Sequence, residues 1–69
     1  MKFSTDIDKD GIKLTLAGQW QDLAAYYRGD DGSAWIYSAC TRGWSNAGSY
    51  EDFIARFSKG FYRGQLLPA

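Results

Sequence analysis

The side chains that most often carry out chemistry are scarce in this chain. It has no histidine and a single cysteine, Cys40. Without an imidazole, neither Ser-His-Asp hydrolysis nor Cys-His nucleophilic catalysis can be assembled within it. One thiol cannot close a disulfide, and most zinc-ligand patterns need the histidines and cysteines that are missing. Cys40 reads instead as a small core residue. The adjacent carboxylates Asp30 and Asp31 are an acid and a base in principle. They lie in the turn Gly29-Asp30-Asp31-Gly32, where solvation leaves no cavity to shift their titration. No glycine loop of the kind that cradles phosphate is present. The expectation is a protein that is not an enzyme, with no catalytic residue, no cofactor and no metal site.

Three partial motifs bear on this expectation. Asp6-Ile7-Asp8-Lys9-Asp10-Gly11 matches the opening of a calcium-binding EF-hand loop, where alternate carboxylates turn inwards around the ion. The twelfth position would be Ala17 rather than a bidentate glutamate, and the flanks read as strands. Lys59-Gly60-Phe61 matches the start of an RNA-binding RRM motif, but Tyr62-Arg63-Gly64 breaks the pattern. The pairs Arg28-Gly29, Arg42-Gly43 and Arg63-Gly64 put a base-stacking or phosphate-pairing cation near aromatic rings. Glycine also ends secondary-structure elements, and that reading accounts for all three pairs.

Those residues have to be positioned by local structure. Phe3, Thr5 and Ile7 alternate with polar neighbours, Asp10-Gly11 is a strong hairpin signal, and Ile12, Leu14 and Leu16 alternate again. Residues 2–17 are therefore predicted to form a hairpin with one apolar face. Trp20, Leu23, Ala24 and Tyr27 stand at helical spacing, which predicts a short helix over 19–28. A strand through Ala25-Tyr26-Tyr27 is the competing reading. Residues 33–41 are aromatic and β-branched enough for a strand, with Ala34, Ile36, Ser38 and Cys40 on one face and Trp35, Tyr37, Ala39 and Thr41 on the other.

Residues 43–48 read as a loop, and the clearest helix follows. Ser49 and Asp52 form a short-armed capping arrangement, and Tyr50, Phe53, Ile54 and Phe57 repeat the apolar stripe. Glu51 and Asp52 suit the positive end of its dipole and Arg56 and Lys59 the negative end, with Gly60 as a left-handed cap. The tail through Leu66-Leu67-Pro68 reads as an extended segment packing back. The predicted architecture is α+β: a small antiparallel sheet with two helices in the order ββαβα. The alternative is a four-stranded meander with one C-terminal helix.

Sixty-nine residues predict a single domain over 1–69. A chain of this length buries only about 60% of the surface its unfolded form exposes, so aromatic packing or self-association has to supply stability. Three Trp, five Tyr and four Phe are more rings than so small an interior can hide. Some should stay partly exposed, as aromatic residues do at interface centres. Formal charge is zero, which disfavours a nucleic-acid-coating protein. The charge is nevertheless unevenly distributed. Residues 1–35 hold Asp6, Asp8, Asp10, Asp22, Asp30 and Asp31 against four cations, and residues 36–69 carry the opposite excess. No stretch is apolar enough for a membrane span, and Met1-Lys2-Phe3-Ser4-Thr5-Asp6 lacks the apolar region of a signal peptide. With a lone thiol, these features predict a cytoplasmic protein.

In size and style, short, aromatic and histidine-poor with those six aspartates, the chain resembles the small phage-encoded anti-CRISPR proteins. The resemblance implies a protein-binding inhibitor in the host bacterial cytoplasm, occluding the basic nucleic-acid path of a Cas effector with carboxylates in place of phosphates. On this reading the partner-binding residues are Asp22, Asp30, Asp31, Tyr26 and Trp44, and the loop-tip aspartates contribute little to the fold. A homodimer stays open. The alternative is a nucleic-acid-binding module built on Trp35, Tyr37, Arg42, Trp44 and Arg63.

Overall fold

Asp10 and Gly11 turn the chain back on itself, as their pairing predicts. In the structure, a computed structural model that describes residues 3–67, they join β1 (Asp6–Lys9) to β2 (Ile12–Trp20). Both turn residues take positive φ, and Lys9 pairs with Ile12 across the two-residue loop. The chain then continues as a meander through β3 (Ala24–Gly29), β4 (Ser33–Ser38) and β5 (Gly43–Ser49), every neighbour antiparallel. One helix, α1 (Tyr50–Ser58), follows directly, and a short β6 (Gln65–Leu66) returns to pair with the far half of β2 at Gly18 and Gln19. The α+β class holds, and the meander with one C-terminal helix is nearer the mark than the order ββαβα.

The expected helix over 19–28 is replaced by the end of β2, a turn at residues 21–23 and β3. Ala25, Tyr26 and Tyr27 are all nearly inaccessible to solvent, so this central strand is buried on both faces. Such a strand shows a continuous apolar run, which its own periodicity cannot separate from a helix. Gln21 in the left-handed region and the bond from Leu23 N–H to the Trp20 carbonyl close the turn. The expected loop at 43–48 is β5. Its glycine, serine and asparagine residues have little strand preference of their own, and pairing with β4 makes it a strand. Cys40 is exposed in the loop between β4 and β5 rather than buried, because β4 ends at Ser38.

Alternation along the strands gives the sheet two apolar faces. On one, Tyr26, Ala34 and Ala47 are covered by Phe53 of α1, with Phe57 and Tyr62 packed around them. Ser49 caps this helix by accepting the Asp52 N–H. At the other end Gly60 N–H reaches the Phe57 carbonyl and Phe61 N–H the Arg56 carbonyl, a Schellman closure.

No helix covers the second face, where Leu14, Leu16, Ala25 and Tyr27 are buried. There the sheet curls over itself. Lys9 on β1 lies 4.9 Å from the ring of Trp35 on β4 and 5.7 Å from that of Trp44 on β5, although β1 is hydrogen-bonded only to β2. Phe3 meets Tyr37 edge-on, and the Tyr27 hydroxyl donates to the Ser4 carbonyl, so residues 3–4 close part of the same face. Gly64 lets the tail lie against β2: a Cβ there would come within 2.3 Å of the Gln19 carbonyl.

Candidate interaction surface

Strand direction decides which loops meet. The β1–β2 turn, the β3–β4 turn and the start of α1 all lie at one end of the sheet. Asp30 N–H donates to the Lys13 carbonyl, which ties the β3–β4 turn to β2. Tyr50 N–H donates to the Gly32 carbonyl, which ties the helix start to that turn. Asp8 pairs with Lys13 in register, beside the same turn. Six of the eight acidic residues, Asp8, Asp10, Asp30, Asp31, Glu51 and Asp52, therefore share one end of the molecule, and all six are exposed. The cations among them are Lys9, Lys13 and Arg28. Lys9 is already engaged with the two tryptophan rings and with Asp10 at 3.3 Å, and Arg28 lies against the Tyr50 ring at 5.4 Å. The carboxylates thus dominate this end.

The turn that carries Asp30 and Asp31 is ordered by its own side chains. Asp31 Oδ1 accepts from both the backbone N–H and the hydroxyl of Ser33. The Ser33 hydroxyl in turn accepts from the Trp35 indole N–H at 3.0 Å. Hydrogen bonds from Ser33, the side-chain one foremost, hold the Asp31 carboxyl below its ordinary titration range. The loop-tip aspartates are therefore not all idle in the fold, since Asp31 fixes the exit into β4. An open hollow of about 730 Å³ lies beside the turn, with Lys13, Thr15, Arg28, Asp30, Tyr50 and Leu67 on its walls. Among the described residues, no group of three His, Cys, Asp or Glu side chains is placed to hold a metal ion. Asp6 and Asp8 are alternate residues of a paired strand and Asp10 belongs to its turn, so they do not wrap round an ion as an EF-hand loop does.

The five residues singled out from sequence are dispersed. Asp30 and Asp31 belong to the acidic end. Asp22 lies in the β2–β3 turn at the opposite end of β3. Tyr26 is 3% exposed, packed under α1 with its hydroxyl donating to the Arg63 carbonyl, so it is a core residue and not a docking residue. Burial, and secondarily the neighbouring Tyr62, raise its phenol above the usual value. Trp44 is half-buried on the curled face, 5.1 Å from Tyr37 and 5.4 Å from Tyr27. Trp35, Tyr37 and Trp44 thus share a face with Lys9. Arg42 stands in the β4–β5 loop, and Arg63 lies over Trp20 instead, 5.5 Å from its ring. Sequence reasoning missed Glu51 and Asp52 as members of the acidic end. The capping signal at Ser49 showed that they begin a helix, but not which turn that helix start would face.

The chain matches no family profile, no curated protein and no solved structure. Its function has to be read from its own residues. No helix among those described is long and apolar enough to cross a membrane.

Proposed function

We propose that the protein is a non-enzymatic, protein-binding inhibitor that seats its acidic end in a basic protein groove. The observation that carries this reading is the gathering of six exposed carboxylates from three separate stretches of chain onto one end, in a molecule of zero net charge. Nothing in the folding of a small sheet requires that gathering, because like charges brought together at a surface repel. Opposite a cationic groove the same charges steer encounter and fix orientation. A bacterial Cas effector, whose nucleic-acid path is such a groove, is the partner that the resemblance to anti-CRISPR proteins suggests, which would place the protein in the host cytoplasm. Zero net charge makes the mimicry local, confined to one end of the molecule.

A second reading is favoured by one observation, the Lys9 ammonium above the Trp35 and Trp44 rings. Half-buried rings beside a cation form a platform on which single-stranded nucleic acid can stack.

One variant separates the two readings. Asp10→Asn/Asp30→Asn/Asp31→Asn removes three charges and keeps the turn chemistry, because Asn tolerates positive φ at position 10 and still accepts from Ser33 at position 31. On the inhibitor reading, this variant melts like the parent and loses most of its affinity for a Cas effector, or other basic protein, that the parent captures from a bacterial lysate. Capture unaffected by the three substitutions would sink that reading. Binding to a single-stranded oligonucleotide that collapses between low and moderate salt would move the function to the ring face.

A further inference from the structure

The two outer sides of the sheet are defended differently. On one side β1 is four residues long, carries Asp6, Asp8 and Lys9, and shares the flank of β2 with the two-residue β6. Short, charged edge strands of this kind resist pairing with another chain. On the other side β5, Gly43-Trp44-Ser45-Asn46-Ala47-Gly48-Ser49, has seven residues, no charge and no proline. It pairs only with β4, and no other strand among the described residues is hydrogen-bonded to it. Two side-chain bonds cover part of its backbone towards the helix end, one from the Arg56 guanidinium to the Ala47 carbonyl and one from the Gly48 N–H to Asn46 Oδ1.

We propose that β5 is the interface of a homodimer, in which two copies pair antiparallel about a two-fold axis at Ser45, with Trp44 of each opposite Asn46 of the other, to make one continuous sheet. Charge selects a second copy as the occupant. At one end of β5 stands Arg42, exposed in the β4–β5 loop; at the other stand Glu51 and Asp52, exposed in the first turn of α1. Antiparallel pairing about a two-fold axis sets Arg42 of each copy beside Glu51 and Asp52 of the other, so two attractive pairs form from one contact. Zero net charge leaves no overall repulsion between copies. The same axis keeps the curled faces on one side of the joined sheet and brings the two Trp44 side chains near each other. Asp30 and Asp31 lie in the turn beside the Ser49 end of β5, with Asp10 at the same end of the sheet, and antiparallel pairing points the two Ser49 ends apart, so the dimer displays an acidic tip at each end. The interface takes Glu51 and Asp52 from the acidic end and leaves Asp8, Asp10, Asp30 and Asp31 free of it, and it is tested without any partner.

The test is sedimentation equilibrium of the purified chain, with reductant present because exposed Cys40 would otherwise cross-link copies. The expected mass is twice 7.8 kDa at high concentration, falling towards 7.8 kDa on dilution. Ser45 is exposed and near the axis, so Ser45→Lys sets like charges face to face and should weaken the dimer at least about tenfold, with the parent's melting temperature retained at dilutions where both chains are monomeric. Arg42→Glu should weaken it more at low salt than at high salt, and Arg42→Glu/Glu51→Arg should restore it. Hydrogen exchange of β5 amides should slow as concentration rises in the parent and not in Ser45→Lys. A chain that stays monomeric to about millimolar concentration, or a dimer indifferent to both Ser45→Lys and Arg42→Glu, overturns the proposal.

Discussion

The two faces of the sheet are buried by different means. The Tyr26 face gains a second layer: α1 lays Phe53 on it, and Tyr26, Phe53, Phe57 and Tyr62 form a ring cluster with centroids 5.0–6.5 Å apart. The Tyr27 face gains nothing from outside and closes by bending, with residues 3–4 drawn across it. A layer seals the surface under it, and Phe53 is 1% exposed. Bending seals only the inside of the curl. Leu14 and Tyr27 lie within it at 1% exposure, while Trp35, Tyr37 and Trp44 on the later strands stay half-buried. Twelve rings in so short a chain are therefore shared out by geometry: Phe3, Trp35, Tyr37 and Trp44 stay partly exposed on the bent face, Trp20, Tyr50, Phe57 and Tyr62 at the rim of the layered one, and Phe61 is open to solvent.

The comparison can be broken first at Phe53. Phe53→Ala should cost about 3–5 kcal/mol, comparable with the whole stability of a domain this small, because it removes the fully buried ring of α1 from the sheet. A urea midpoint close to the parent's would mean that the layer matters less than the curl. Leu14→Ala on the bent face should cost about 2–5 kcal/mol, towards the lower part of that range if residues 3–4 relax inwards to fill the space. Near-complete unfolding by Leu14→Ala, with Phe53→Ala tolerated, would invert the ranking of the two faces.

A smaller effect is expected at alkaline pH. Burial, with Tyr62 and Tyr37 as the respective neighbours, raises both the Tyr26 and the Tyr27 phenol above the ordinary tyrosine value. A phenol whose folded value is raised contributes stability that is fully present below the unfolded value and lost as pH rises through the folded one. Urea midpoints should therefore hold steady up to about pH 9 and fall beyond about pH 10. Tyr27→Phe should cost about 1 kcal/mol at neutral pH through the lost bond to Ser4, and should make the alkaline fall shallower. An equally steep fall in that variant would assign the alkaline loss to Tyr26 on the layered face. The smallest effect belongs to the end that joins the faces: Asp10→Asn/Asp30→Asn/Asp31→Asn should leave the urea midpoint close to the parent's, because Asn at position 31 still accepts from Ser33. A larger loss would show that these charges serve the fold.

What the sequence determined by itself was whatever neighbours in the chain decide between them. Asp10-Gly11 makes a two-residue turn from its own backbone preferences, so β1 and β2 were legible with their apolar alternation. Ser49, Asp52 and Gly60 mark the ends of α1 through bonds that span one turn, so that helix was legible too. The missing histidine and lone cysteine closed whole classes of chemistry before any fold was known. Only the tertiary structure decided the rest. β3 was ambiguous because burial on both faces removes the alternation that distinguishes a strand, and β5 was invisible because its residues become a strand only against β4. The acidic end draws on residues 8–10, 30–31 and 51–52, and no local preference brings those together. Their meeting follows from strand direction and register, which are set by hydrogen bonds and burial between residues far apart in the chain.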